Sequence, residues 1–349
     1  MKAFVFSLFS VFLALSGAGH AAEPVNEAAL LNPRPARHLS DYHLFINGAA
    51  QLPNVGVMPY DLATPLFTDY AHKFRFVYIP KGQKASYDDT EVLHFPVGTV
   101  LMKTFAYPAD FRRPDKNVRL IETRLLIHQK KGWNAWAYIW NADMSDATLS
   151  VAGATLPVAW RDTSGHPRGT NYVVPNKNQC KGCHSFDRAF TPIGPKARNL
   201  NHVFAYKAGA ENQIQHWVKA GKLTGVPAHV PSVPRWDDAS ADLASRARAY
   251  LDVNCAHCHR LEGPGSTSGL FLTWGTTNKT HRGIMKRPVA AGRGAGGLDF
   301  DIVPGHADQS IMIFRLSSND PGIMMPEAGR TMVHQEGVAM LKEWINSMK

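Results

Sequence analysis

The stretch Asn254-Cys255-Ala256-His257-Cys258-His259 decides how this chain is read, and Cys180-Lys181-Gly182-Cys183-His184 repeats its pattern. Both are C-x-x-C-H. Two thiols three positions apart can each bond one vinyl group of the same porphyrin, and the histidine that follows then lies under the iron as an axial ligand. All four cysteines of the 349-residue chain fall in these two motifs. The pattern predicts two covalently bound haem c groups, attached at Cys180 with Cys183 and at Cys255 with Cys258. His184 and His259 are the expected iron ligands. A four-cysteine zinc site is the first competitor, but zinc ribbons close over short loops, unlike the long stretch from Cys183 to Cys255. Two small disulfides or a thioredoxin-like pair would leave the histidine after each motif unexplained. His257, inside the second motif, reads as a solvent-facing spacer.

Working outward from the second motif, Leu243, Ala247, Tyr250 and Leu251 recur at helical spacing, with Asp238 or Ser240 as the cap. Downstream come Met325-Pro326 and a terminal stripe of Val338, Leu341, Ile345 and Met348. Helix, motif, loops, Met-Pro, helix predicts an all-α cytochrome c module over 236–349. Met325 is its expected sixth ligand and Met324 the runner-up. The first motif has a different setting. Residues 172–179 read as non-helical because Pro175 interrupts them, and a short helix is expected from Ala210 to Ala220. No methionine lies between His184 and Met285. The sixth ligand of haem 1 is therefore left among His202, His216, His229, Met102 and Met144, or the position is open. An open iron would suit a peroxidase-like oxidoreductase, with haem 2 as its electron input.

Ahead of the motifs the period changes from helix to strand. Phe74–Ile79 alternates, Thr99–Phe105 and Arg119–Ile127 are further short strand runs, and Trp133–Trp140 divides into two faces, with Gly and Pro turns between them. They predict an antiparallel β domain, sandwich-like or barrel-like, over 52–175. Trp136, Tyr138 and Trp140 share one strand face and read as packed sheet, with a ligand platform as the alternative. Residues 23–51 read as an extended lead-in, and 176–235 as the haem 1 segment. The expected fold class is α+β multidomain: an all-β N-terminal domain, a haem-binding region and an all-α C-terminal module. Gly292-Arg293-Gly294-Ala295-Gly296-Gly297 matches a dinucleotide fingerprint but lacks the flanking strand and helix, and reads as a loop.

Composition narrows the function classes. Lys2, the apolar run Ala3–Leu15 and the small residues up to Ala22 read as a secretory signal, cleaved near Ala21 or Ala22. A periplasmic or secreted protein is expected, and export suits thiols that must meet haem outside the cytoplasm. No later run is long and apolar enough to span a bilayer, so no transmembrane segment is expected in the mature chain. The formal charge of +10 is scattered, without the basic face or fold of a nucleic-acid binder. It suits steering of an acidic redox partner.

Pro65-Leu66-Phe67-Thr68-Asp69-Tyr70-Ala71, Phe95–Val100, Glu122–Leu126, Asn178–His184, Tyr250–Arg260 and Met325-Pro326 together resemble a family of exported bacterial dihaem c-type cytochromes. The resemblance spans nearly the whole mature chain, and its last third is similar to planctomycete-type cytochrome c domains. It implies haem binding and electron transfer. Relatives of this architecture sometimes accompany or are fused to sugar-dehydrogenase-like propellers, which suggests a periplasmic dehydrogenase as donor. The expected function is single-electron relay between redox proteins, with no catalytic residues of its own. A docking role for the β domain is compatible with either the relay or the peroxidase-like reading.

Overall fold

The alternating runs build one sheet. In the computed structural model, which describes residues 23–349, six strands follow one another antiparallel in chain order. They are β1 (Val57–Pro59), β2 (His72–Tyr78), β3 (Val100–Pro108), β4 (Val118–Gln129), β5 (Gly132–Trp140) and β6 (Ala147–Leu149). The expected leader, 1–22, lies outside the described residues. Strand period puts successive side chains on opposite faces. Phe76, Met102, Leu125 and Trp136 make one row across four strands and enter a core with Tyr138 and Trp140. The aromatic ladder is thus packed sheet, with Trp136, Tyr138 and Trp140 only 9, 0 and 7 % exposed.

That face is closed by residues 23–51, which are not simply an extended lead-in. Helix α1 (Glu27–Leu31) and a following turn bury Leu30, Leu39, Tyr42 and Leu44 in the same core. Tyr42 and Tyr138 share a 2.9 Å hydrogen bond between their hydroxyls.

The opposite face carries the rest of the chain. At one end Phe105, Tyr107 and Ala137 pack under a hairpin, β7 (Ala154–Arg161) with β8 (Pro167–Val174), through Val158, Trp160 and Tyr172. That hairpin forms its own two-stranded sheet and meets the chain beyond β3 only through a single bridge between Arg161 and Asp110, so the six-stranded sheet does not close into a barrel. At the other end Val77 and Leu101 meet Leu200, Ile214 and Trp217. These come from the segment holding α2 (Lys177–Cys183), α3 (Ala197–Leu200) and α4 (Gln213–Lys219). The helix expected over 210–220 is α4, which starts later because residues 209–212 form a strand and Asn212 caps it.

The expected all-α C-terminal module is overturned. The protein is mostly β, about 20 % helical. Helices α5 (Leu243–Asn254) and α7 (Gln335–Asn346), of 12 residues each, form where apolar spacing placed them, with α6 (Ile311–Leu316) between. Asp242 caps α5, its carboxylate accepting from Ser245 N, instead of Asp238 or Ser240. From Cys255 to Ser310, however, the chain holds only turns and 3-10 segments. Glycine disfavours helix by about 1 kcal/mol against alanine and proline by about 3. The run Gly292, Gly294, Gly296, Gly297 and the prolines at 264, 288 and 304 keep this stretch irregular. Glycine has a second use in α7. A Cβ on Gly337 would stand 2.8 Å from the Tyr250 ring, so α7 crosses α5 closely there. Among the described residues, no helix is long and apolar enough to cross a membrane.

Candidate functional site

The first motif sits on a helix after all. Asn176 accepts from Gln179 N, and the Gln179 side chain accepts from Asn176 N, a reciprocal cap that starts α2 two residues after Pro175. One helical turn then brings Cys180 and Cys183 to neighbouring positions. His184 follows as the C-cap. Its Nδ1 lies 2.9 Å from the Thr191 carbonyl, and its ring stacks on Phe190. A carbonyl can only accept, so Nδ1 carries the proton and Nε2 is left bare for a metal. Burial pushes the imidazole down to about 3, which keeps it neutral.

The second motif is delivered by α5. Cys255 caps that helix, and the amides of Cys258 and His259 both return to its carbonyl, at 3.1 and 2.9 Å. Gly263 crosses above this turn, where a Cβ would fall 2.4 Å from the Cys258 carbonyl oxygen. His259 Nδ1 is 3.3 Å from Ser268 Oγ, whose own proton goes to the Gly265 carbonyl at 2.6 Å. Nδ1 therefore donates to Ser268, and Nε2 is again free. Burial moves His259 down to about 4.

Folding brings the two motifs together. Ligand atoms of Cys183, His257 and Cys258 all lie within 4.8 Å of one another. A cavity of about 420 Å³ is lined by Cys180, Cys183 and His184 from one motif and by Cys255 and His257 from the other. His257 is thus no solvent-facing spacer, and its Nδ1 is buried without a partner. The thiols divide into unlike sets. Contact with the Cys258 thiol, and then with His257, lowers Cys183 to about 4, and the same contact raises Cys258. Burial raises Cys180 and pushes Cys255 up to about 12.

A buried ionic network holds the motifs in register. Asp252 of α5 accepts twice from Arg198 Nη2, at 3.2 and 2.9 Å, and lies 3.7 Å from Lys196. Glu91 takes both terminal nitrogens of Arg260, the residue after His259, and lies 3.7 Å from Lys196. Sheet flank, first segment and second motif are tied at one point.

The proposed sixth ligands fare differently. Met324 is buried and lines the cavity. Met325 is half-buried and is not among the lining residues; its carbonyl accepts from Arg330. Met102 packs into the core on the other sheet face and also borders the cavity, and the Met144 sulfur accepts from Leu120 N. Both His202 ring nitrogens have partners, in Val203 and Gln213. His216 stacks on Tyr206 beside Glu211, and His229 is exposed.

A row of cations was not singled out from sequence. Arg75, Lys103 and Arg124 stand opposite one another on β2, β3 and β4 and line the same cavity. Each sits at an inward position of an alternating run, which is the signal that could have found it.

Comparison with protein-family models, with curated proteins and with solved structures finds no significant match to the chain.

Proposed function

We propose that this is an exported dihaem c-type cytochrome of the family it resembles, relaying single electrons between redox proteins in the periplasm or outside the cell. The observation that carries the reading is the shared cavity, lined by Cys180, Cys183 and His184 of the first C-x-x-C-H motif and by Cys255 and His257 of the second, with Cys258 and His259 outside its lining. The residues suit the group: four cysteines with no disulfide among them, two neutral histidines with Nε2 free, and largely apolar walls. Cys180 with Cys183, and Cys255 with Cys258, would hold the porphyrins as thioethers. His184 and His259 would each give Nε2 to an iron, their orientation fixed by Thr191 and Ser268. When bound, each haem supplies a ferric–ferrous couple that accepts one electron from a donor and returns it to an acceptor. Leu66, Phe67 and Pro192 give the cavity apolar wall, which favours the less charged state of a bound centre. Met324 or Met325 would complete the second site, and a thioether there raises the potential relative to a second histidine.

Intact mass spectrometry of chain exported from a host that matures such cytochromes tests this. The expected gain is two tetrapyrroles, falling to one in Cys180→Ser/Cys183→Ser and to one in Cys255→Ser/Cys258→Ser. A mass equal to the bare polypeptide refutes it. One observation favours a second reading, a peroxidase-like oxidoreductase. His202, His216 and Met144 are each engaged elsewhere and His229 is exposed, so of the named candidates only Met102 touches the cavity, which favours an open iron at the first site. A high-spin ferric signal with peroxide turnover would select that reading.

A further inference from the structure

The sheet face beneath the cavity carries basic side chains that the chain itself does not pair. Arg75 pairs with Lys103 across β2 and β3, and Lys103 with Arg124 across β3 and β4, so three cations face one another directly. In the next row of the same face, Lys73 stands opposite Phe105, and Phe105 opposite Glu122. Like charges in directly opposed positions destabilise a sheet, and removal from water adds to the cost. Ordinary ion pairing accounts for two of the four cations. Arg75 meets Asp61 at 2.5 Å, and Arg124 holds both oxygens of the fully buried Glu122. Lys73 reaches only the Leu66 carbonyl, at 2.7 Å. Lys103 has no hydrogen bond or ion pair among the described residues, only a place over the Phe105 ring, with Nζ 5.1 Å from its centroid. The other acids of the cavity wall are engaged. Asp69 accepts from Thr331 and Met332, and Glu327 leans on Arg315 at 3.7 Å. Four basic side chains against two carboxylates leave the Lys73 and Lys103 amines without a counter-ion, and Lys103 lines the cavity that Cys180, Cys183 and His184 also line.

We propose that Lys103, flanked by Arg75 and Arg124 and backed by Lys73, is a carboxylate receptor that takes the propionates of the haem attached at Cys180 and Cys183. The proposal rests on the haem reading above. It makes the β sheet the floor of a haem site instead of a partner-docking accessory. Without a carboxylate, burial and the neighbouring guanidiniums push Lys103 down to about 7, the response of a cation that lacks its anion. Once the carboxylates are seated, Lys103 is a charge-assisted donor to them, and its positive field favours the ferrous state of the nearby iron.

The test is spectroelectrochemistry on the full dihaem protein with Lys103→Met, Lys103→Gln and Lys103→Arg. With both haems counted by mass, the neutral variants should lower the midpoint potential of one haem and leave the other in place, and Lys103→Arg should restore it. Full-length chain produced without haem should respond in the opposite sense below pH 7, with Lys103→Met raising its melting temperature because a half-buried amine that must be protonated without a partner has gone. Unchanged potentials in fully loaded Lys103→Met and Lys103→Gln would overturn the proposal and leave the haem reading standing. Succinate shifting that haem's potential in the unsubstituted protein would assign the receptor to a diffusible carboxylate, and would overturn it too. Absence of haem from the unsubstituted protein would sink the reading on which both rest.

Discussion

Asp252→Asn should be among the most damaging conservative changes in the chain. The side chain is 5 % exposed and holds three elements at once. It accepts from Arg198 Nη2 twice, from Trp274 N at 2.9 Å, and faces Lys196 at 3.7 Å. Asparagine keeps the volume and can still accept from Trp274, but it removes the charge. Arg198 and Lys196 then remain buried, with only the Thr90 carbonyl and Glu91 as partners. Breaking a buried pair by deleting one member costs roughly 3–5 kcal/mol, and these residual partners place the loss near 3. Neighbouring cations hold the Asp252 carboxyl below its ordinary 3.8 against the opposing effect of burial. An acid depressed on folding stabilises above its unfolded value, so the contribution is complete above 3.8 and drains as the pH falls below it. Urea denaturation at neutral pH and at pH 3 measures both parts. The variant should lose about 3 kcal/mol at pH 7 and about 1 kcal/mol less at pH 3, and Arg198→Met added to it should recover part of the loss. A neutral-pH loss under about 0.5 kcal/mol, the range of ordinary surface changes, would refute this account of the network.

Leu30→Ala should cost about 2–5 kcal/mol, because Leu30 is fully buried under the sheet, and chemical denaturation measures it. A lead-in that merely lay on the surface would give almost nothing. His334 stacks on Phe67 at 4.1 Å, and burial lowers it to about 4. The unfolded chain takes up that proton below 6.5, so stability should fall as pH drops from 6.5 toward 4. Melting curves of His334→Gln should be flatter across that window. In the haem-loaded protein Met324→Ala should shift the absorption of the second haem more than Met325→Ala does, since Met324 lines the cavity. The reverse order, read from visible spectra, would restore Met325 as the ligand.

The strands were legible because each side of a half-buried strand has its own chemistry. Phe74 to Tyr78 alternates, Val118 to Gln129 is a long apolar-rich run, and short turns set the order of the last three strands. Helices α5 and α7 were legible for the same reason at the helical period. What linked them was not. Two amphipathic helices flanking a motif suggest a helical module only if the intervening chain can be helical, and the glycines from Gly263 to Gly305 prevent that. Helix α2 was hidden by too much weight on Pro175. The reciprocal cap of Asn176 and Gln179 was already visible and fixes a start just beyond the proline. The cation row needed register. Arg75, Lys103 and Arg124 are unremarkable in three separate strands and become a feature only when pairing sets them side by side.

The meeting of the two motifs decides which experiments can isolate the sheet's role. Deleting residues 52–175 would take away Glu91, which holds Arg260, and Asp69, whose carboxylate anchors Thr331 at 2.7 Å and Met332 at 2.8 Å. It would also strip Leu200, Ile214 and Trp217 of the apolar surface under which they are buried. Lost electron transfer in such a deletion would follow equally from a missing docking surface and from a collapsed cavity. Substitution at the floor separates the two. Lys103 faces inward, so a change there acts on the charge beneath the first motif and leaves the outer surface as it was. A partner that docks on the sheet should bind Lys103→Met unchanged while the electron it delivers meets a haem of lower potential.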